Sequence, residues 1–239
     1  MILAVIQARM SSTRLPGKVL MPLAGEPMIL RQVERIARCR LIDQLVVATS
    51  LAASDDPLAE VLAQARIAHF RGPLDDVLAR FIGVLDAFGP ADEVVRLTGD
   101  CPLADWRLID AVIERRQESG ADYVSNTLGR RSFPKGLDAE VVKSSVLREA
   151  AAEARTPYEH EHVTPFVYAR PQRYRLEGLT QDADEGEVRW TVDRADDFAF
   201  VSAVYDGLYP ADPAFNSDDV RTLVRARPDL LNLGGERRV

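Results

Sequence analysis

The N-terminal stretch Ile2-Leu3-Ala4-Val5-Ile6-Gln7-Ala8-Arg9-Met10-Ser11-Ser12-Thr13-Arg14-Leu15-Pro16-Gly17-Lys18 decides the fold. Ile2 to Ile6 is an uninterrupted aliphatic run without polar alternation, the pattern of a strand covered on both faces, as in the centre of a parallel sheet. The chain then leaves the strand as a loop carrying three cations (Arg9, Arg14, Lys18) and three hydroxyls (Ser11, Ser12, Thr13). That set suits a polyanion: lysine offers a point charge, arginine a planar fork for phosphate oxygens, and hydroxyls and backbone N–H groups the remaining donors. In open α/β sheets ligands sit beyond the carboxyl ends of the strands, where this loop must lie. Lys18 is one of only three lysines among 30 Lys and Arg residues. It is followed by Val19, so the loop is not a Walker A motif, and no Gly-x-Gly-x-x-Gly follows any predicted strand.

Outward from this loop, strands and helices alternate. Pro27 opens a helix with Ile29, Val33, Ile36 and Ala37 on one face, ending near Cys39. Leu45–Thr49 is the second strand, followed by a helix capped by Asp56 with Pro57 in its first turn. Ile67–Phe70 is the third strand, and Val77, Leu78, Phe81, Val84, Leu85 and Phe88 stripe the next helix before Gly89-Pro90. Glu93–Thr98 is the fourth strand, and a helix capped by Asp105 follows. This rhythm predicts an α/β fold, a mostly parallel central sheet with helices on both faces.

From Asp122 the rhythm breaks. A strand end at 122–126, a polar loop at 127–135, a strand at Leu137–Val142 and helices near 145–154 and 158–169 form an irregular subregion, about 122–177, suited to substrate specificity or an oligomer contact. The sheet is expected to resume at Val188–Val192, with helices from Asp193 and from about Ser217, and a surface tail after Pro228. All 239 residues read as one domain.

A net charge of −7 argues against a nucleic-acid partner, because a polymer binder presents a basic face; the basic loop is local and fits a small phosphorylated ligand. Two cysteines, Cys39 and Cys101, indicate neither a disulfide framework nor a zinc site, so a reducing cytoplasm is expected. The first apolar run is too short for a signal sequence, and no run reaches the ~18 apolar residues of a membrane span.

Asp100 and Asp193 each follow a predicted buried strand, as the basic loop does, and the three can converge on one sheet edge. Two carboxylates facing a triphosphate suit Mg²⁺, which completes its octahedron with water and phosphate oxygens. The structural alternatives are a helix N-cap for Asp193 and an Asx-type turn for Asp100. Glu159-His160-Glu161-His162 suggests a zinc hydrolase at first sight, but residues two apart on a helix do not share a face, and His-Glu-x-x-His is absent. Cys101 lacks any nucleophile motif and reads as a buried thiol.

Seven blocks in order carry a family resemblance: residues 7–18, Arg-Gly-Pro-Leu-Asp-Asp-Val-Leu (71–78), Arg-Leu-Thr-Gly-Asp-Cys-Pro-Leu (96–103), Asp-Tyr-Val-Ser-Asn (122–126), Phe-Pro-Lys-Gly-Leu-Asp-Ala-Glu-Val (133–141), Glu-His-Val-Thr-Pro (161–165) and Arg-Trp-Thr-Val-Asp (189–193). Together they resemble the cytidylyltransferases that activate acidic sugars as CMP-sugars, among them the CMP-KDO and CMP-acylneuraminate synthetases. The nearest likeness is to the SpsF-type branch named for spore coat polysaccharide biosynthesis. The resemblance implies a glycosyltransferase-A-like nucleotidyltransferase fold, CTP as cosubstrate, Mg²⁺ and a homodimer. It places Arg9, Ser11, Ser12, Thr13, Arg14 and Lys18 on the triphosphate, Arg71 and Asp76 over the base, and Asp100 and Asp193 on the metal, with Lys18, Arg14 and the two aspartates carrying catalysis. For an acidic acceptor, Lys135, Arg130 or Arg131 would meet the carboxylate, and Asn126, Asp138, Glu140, Glu161 and His162 the hydroxyls. Asp100-Cys101-Pro102 departs from the Asp-Glu-Pro of the KDO enzymes, which leaves the sugar open. A glycosyltransferase on the same fold is disfavoured by the missing Asp-x-Asp, and a non-catalytic nucleotide-binding protein by the retention of Lys18, Asp100 and Asp193.

Overall fold

The computed structural model describes residues 1–239. In chain order the elements are β1 (Ile2–Gln7), β2 (Pro22–Leu23), β3 (Glu26–Pro27), α1 (Met28–Ile36), β4 (Gln44–Ser50), α2 (Asp56–Gln64), β5 (His69–Gly72), α3 (Val77–Phe88), β6 (Glu93–Thr98), α4 (Trp106–Ser119), β7 (Tyr123–Ser125), β8 (Glu140–Lys143), α5 (Ser144–Glu153), α6 (Pro157–His162), α7 (Pro165–Tyr168), β9 (Leu176–Gly178), α8 (Ala195–Leu208) and α9 (Ser217–Ala226). No helix is long and apolar enough to cross a membrane.

Seven strands form one sheet in the order β5-β4-β1-β6-β8-β7-β9. β1 lies parallel to both β4 and β6, and β5 parallel to β4. Leu3, Ala4, Val5 and Ile6 are completely buried, as the aliphatic run requires. Ala4 and Ile6 meet Ile29 and Val33 of α1 and Ile109 and Val112 of α4 on one face. Leu3 and Val5 meet Leu78 and Phe81 of α3 and Leu147 of α5 on the other. Helices therefore cover both faces, and each fully buried Leu, Val or Ile side chain contributes roughly 2 kcal/mol by leaving water.

The strand order reverses at β1: the chain runs outward through β4 and β5, then returns to place β6 on β1's other side. Such a reversal opens a crevice beyond the carboxyl ends of the two strands. Here those ends deliver the basic loop and the Gly99-Asp100 turn side by side. Gly99 N–H donates to the Gln7 carbonyl at 2.8 Å, and a Cβ on Gly99 would lie only 2.8 Å from that of Ala8, so no side chain fits between the loops.

Past β6 the sheet turns mixed, because β8 runs antiparallel to both β6 and β7 while β9 lies parallel to β7. Four expectations need correction here. Val188–Val192 is not a sheet strand. It makes a single bridge, Lys135 to Arg189, and its alternating Val188, Trp190 and Val192 face a third apolar cluster with Phe200, Val204 and Val220. Alternation reports a buried face, whatever buries it. The helix expected over 158–169 is broken into α6 and α7 at Val163, which has φ +73°, just before Pro165. The tail after Pro228 is packed: Leu230 and Arg238 are buried, and the Trp190 indole donates to the Arg238 carbonyl at 2.8 Å. Finally, the residue before α2 is Asp55, whose side chain is turned elsewhere, while Asp56 pairs with Arg71 at 2.6 Å.

Candidate active site

The basic loop is shaped by a carboxylate that sequence reading passed over. Asp55 is fully buried; one of its oxygens accepts the Met10 N–H at 2.7 Å and the other the Ser50 N–H at 3.2 Å, so the end of β4 anchors the start of the loop. Met10 in turn accepts from Ser12 and Gly17 through its carbonyl, at 2.9 and 3.0 Å. Gly17, at φ +72°, takes the left-handed turn that sends Lys18 inward.

Lys18 is only 8% exposed. Its Nζ donates to Asp100 Oδ2 at 3.1 Å, to Asp193 Oδ1 at 3.2 Å and to the Val192 carbonyl at 2.7 Å. The basic loop and both aspartates thus meet at one point. One backbone carbonyl holds the aspartates there: that of Asp100 accepts from the Val192 N–H at 2.8 Å and from the Thr191 hydroxyl at 3.2 Å. From behind, Gln32 and Arg35 of α1 hold the Thr98 and Ala104 carbonyls at 2.7 and 2.9 Å, and Tyr205 of α8 holds that of Pro102 at 2.8 Å. Asp193 does not cap α8. That role falls to Asp197, which accepts the N–H groups of Asp193 and Arg194 at 3.0 Å each.

Asp193 is surrounded by cations. Arg14 stands 2.7 Å from its Oδ1 and Arg189 2.7 Å from its Oδ2. Burial alone would raise the Asp193 pKa, but the Arg189 hydrogen bond with the charges of Lys18 and Arg14 outweighs it and holds the carboxyl below its ordinary range. Burial works against Asp197 in the same way, yet Arg189 and the two backbone donors bring it down to about 2. Cys101 goes the other way: full burial and the neighbouring Asp100 push its thiol well up, as befits a buried, protonated side chain.

A cleft of about 310 Å³ opens over this cluster. Of the residues singled out from sequence, it brings together Arg9, Ser12, Thr13, Arg14, Lys18, Asp100, Glu161, His162 and Asp193. A second cavity of about 510 Å³ adjoins it, with His162 bordering both; Arg131, Asp138 and Glu140 line the second, with Arg96, Tyr123, Tyr158 and Thr164. Arg131 forms a two-pronged pair with Asp138 at 2.6 and 2.9 Å, and Glu140 accepts from Arg96, from Tyr123 at 2.8 Å and from Thr164 at 2.5 Å.

Several expected contacts lie elsewhere. Ser11 is exposed outside the cleft lining. Arg71 staples the turn after β4 through the Ser50 and Ala52 carbonyls, and Asp76 caps α3 by accepting the Ala79 N–H at 2.8 Å; neither lines the cleft. Asn126 spends both ends of its amide on the Leu137 carbonyl and the Ala139 N–H. Lys135 reaches outward to Glu187, and Arg130 is exposed near Asp184. The pair His160 and His162 is split: His160 meets Asp76 at 2.9 Å, and His162 packs on Tyr158 with ring centroids 4.5 Å apart. Conversely, buried Arg80 lines the cleft although it sits inside the apolar stripe of α3, and Arg189 braces Asp193 from within one of the quoted blocks. An arginine at a core-facing helical position was the available signal for Arg80.

A family model described as cytidylyltransferase matches residues 3–200. The spore coat polysaccharide biosynthesis protein SpsF of Bacillus subtilis (strain 168) is 34% identical over 237 residues, covering 95% of each chain. A solved cytidylyltransferase from Leptospira borgpetersenii superposes with a TM-score of 0.89 at 27% identity, over 96% of this chain and 95% of that one. The structure of CMP:2-keto-3-deoxy-manno-octonic acid synthetase complexed with CTP superposes at 0.67 with 17% identity, over 86% and 98%, a likeness of fold alone. Together with the switch-point crevice, the cationic loop and the acidic pair, these matches fix the assignment: the chain belongs to the cytidylyltransferase family of nucleotidyltransferases.

Proposed function

We propose that this chain is a magnesium-dependent CTP:sugar cytidylyltransferase whose acceptor is an acidic sugar. In this reading an acceptor hydroxyl attacks the α-phosphorus of CTP in line, the bond to the β-phosphate oxygen breaks, and pyrophosphate leaves. The observation that carries the reading is the meeting of Asp100 and Asp193 on the ammonium of Lys18, 3.1 and 3.2 Å away, at the lip of the cationic loop.

The donor set fits Mg²⁺, which takes hard oxygens and needs only one or two carboxylates when phosphates supply the rest. Asp100 and Asp193 would hold the ion, which when bound supplies charge neutralisation at the phosphoryl oxygens. Lys18 and Arg14 would stabilise the charge that builds on the leaving pyrophosphate, and Arg9, Ser12 and Thr13 would fix the triphosphate. The second cavity would take the acceptor, with His162 and Glu161 at the shared wall and Arg131 turning from Asp138 to the acceptor's carboxylate. A homodimer working in the cytoplasm, in surface polysaccharide or glycan synthesis, belongs to the same reading.

The test is pyrophosphate release from each of the four nucleoside triphosphates with Mg²⁺ and a panel of ulosonic and nonulosonic acids. Release with CTP and at least one acid is expected, with Arg131→Ala raising the acceptor KM tenfold or more at little cost in kcat. No release with any triphosphate despite CTP binding, or consumption of a CMP-sugar in place of CTP, would overturn the reading.

A further inference from the structure

We propose that in the free protein Lys18 and Arg14 close the acidic pair to divalent cations, so that the metal enters only with or after the nucleoside triphosphate. This rests on the nucleotidyl-transfer reading above, since it assigns the order in which that site fills.

Three of the four carboxylate oxygens already face cations. Asp193 Oδ1 is held by Lys18 and by Arg14, Asp193 Oδ2 by Arg189, and Asp100 Oδ2 by Lys18. The fourth, Asp100 Oδ1, faces only the Cys101 thiol at 3.5 Å. Lys18 has no spare capacity either: an ammonium has three protons, and its three partners are the two aspartates and the Val192 carbonyl. Its Nζ therefore occupies one oxygen of each aspartate that would hold a metal.

Charge points the same way. Lys18, Arg14 and Arg189 set three positive charges against the two carboxylates, while Asp197 is matched by buried Arg238 at 3.1 Å. A bare divalent ion approaching this cluster meets a surplus of like charge. A triphosphate reverses the balance and offers better acceptors to the movable cations. Lys18 has a flexible four-carbon stem, and the Arg14 side chain is 61% exposed, so both can turn to phosphate. Arg189 cannot, because Asp197 holds it at 3.1 Å through both Nε and Nη2. The exchange thus frees Asp100 Oδ2 and Asp193 Oδ1, the facing pair, and leaves Asp193 Oδ2 braced.

The experiment is Mn²⁺ binding to the full chain without nucleotide, read from the loss of the free-ion electron paramagnetic resonance signal. Lys18→Met is expected to bind one Mn²⁺ at least tenfold more tightly than wild type. Lys18→Arg should stay at the wild-type level, and adding Asp100→Asn to Lys18→Met should abolish the gain. Arg14→Gln, at an exposed position where folding is not at stake, should gain about threefold, by removing one of three like charges. A wild-type protein that takes up Mn²⁺ as tightly as Lys18→Met, or no gain in Arg14→Gln, would overturn the proposal. Pyrophosphate release separates the two readings: turnover of CTP without any gain in Mn²⁺ binding defeats only the order of filling, whereas a gain without CTP use upholds the gate and defeats the proposed reaction.

Discussion

Replacing Asp100 by Asn is expected to lower the rate of pyrophosphate release from CTP by about 10³-fold or more, and Asp193→Asn by at least as much. Three decades correspond to about 4 kcal/mol of transition-state stabilisation, which is what loss of a metal ligand at a phosphoryl group costs. The two variants should differ in stability. Asp100 engages one ammonium and a thiol through its side chain, so Asp100→Asn should melt close to wild type. Both oxygens of Asp193 are committed to Lys18, Arg14 and Arg189, so Asp193→Asn leaves cations unbalanced and should melt measurably lower. Initial rates at saturating CTP, with thermal denaturation alongside, check both halves. A rate for Asp100→Asn within tenfold of wild type would remove that residue from the chemistry.

The second large effect is on folding. Asp197→Ala should destabilise the protein by about 3 kcal/mol or more, the range found when one member of a buried ion pair is deleted. Asp197 is 1% exposed and accepts from Arg189, Arg238 and two backbone N–H groups; without it the guanidinium of Arg238, itself fully buried, has lost its charge partner. Acid should act the same way. The folded-state pKa of Asp197 is depressed to about 2, so its contribution is fully present above the ordinary carboxylate pKa near 4 and is lost as pH falls toward 2. Denaturant midpoints across that window should fall for wild type and stay flatter for Asp197→Ala, the two curves converging near pH 2. Parallel curves from pH 5 to pH 2 would show that Asp197 is not the group responsible. Because Arg189 links Asp197 to Asp193, the same variant should also lose activity beyond what its unfolded fraction explains.

What could be read from the chain was what local pattern encodes. The aliphatic run of β1, β6 at Glu93–Thr98 and the stripe of α3 depend on neighbours in sequence, and all three stand where their patterns put them. The acidic pair was legible for a different reason: each aspartate follows a buried apolar segment, and the ends of such segments collect at the switch point. The same logic failed on a detail, because Val188–Val192 reaches the site without joining the sheet. Buried polar partners left little trace. Asp55 goes unnoticed beside Asp56, which reads as the cap of α2, although it is Asp55 that pins the basic loop. Arg238 lies in a polar tract that reads as a tail, although it is buried against Asp197 and Arg189. The acceptor-side assignments suffered most, since Asn126 and Lys135 lie in a loop whose side-chain directions are set by contacts distant in sequence.

In the function we propose, a cationic turn and two aspartates remote in sequence close on one nucleoside triphosphate. Calorimetric titration of CTP with Mg²⁺ into the wild-type chain and into Lys18→Ala tests it most directly, with ATP and GTP as comparators. One CTP bound per chain, more tightly than either purine nucleotide and at least tenfold more weakly in the variant, is the predicted result. No saturable CTP binding, or identical isotherms for wild type and Lys18→Ala, would contradict it.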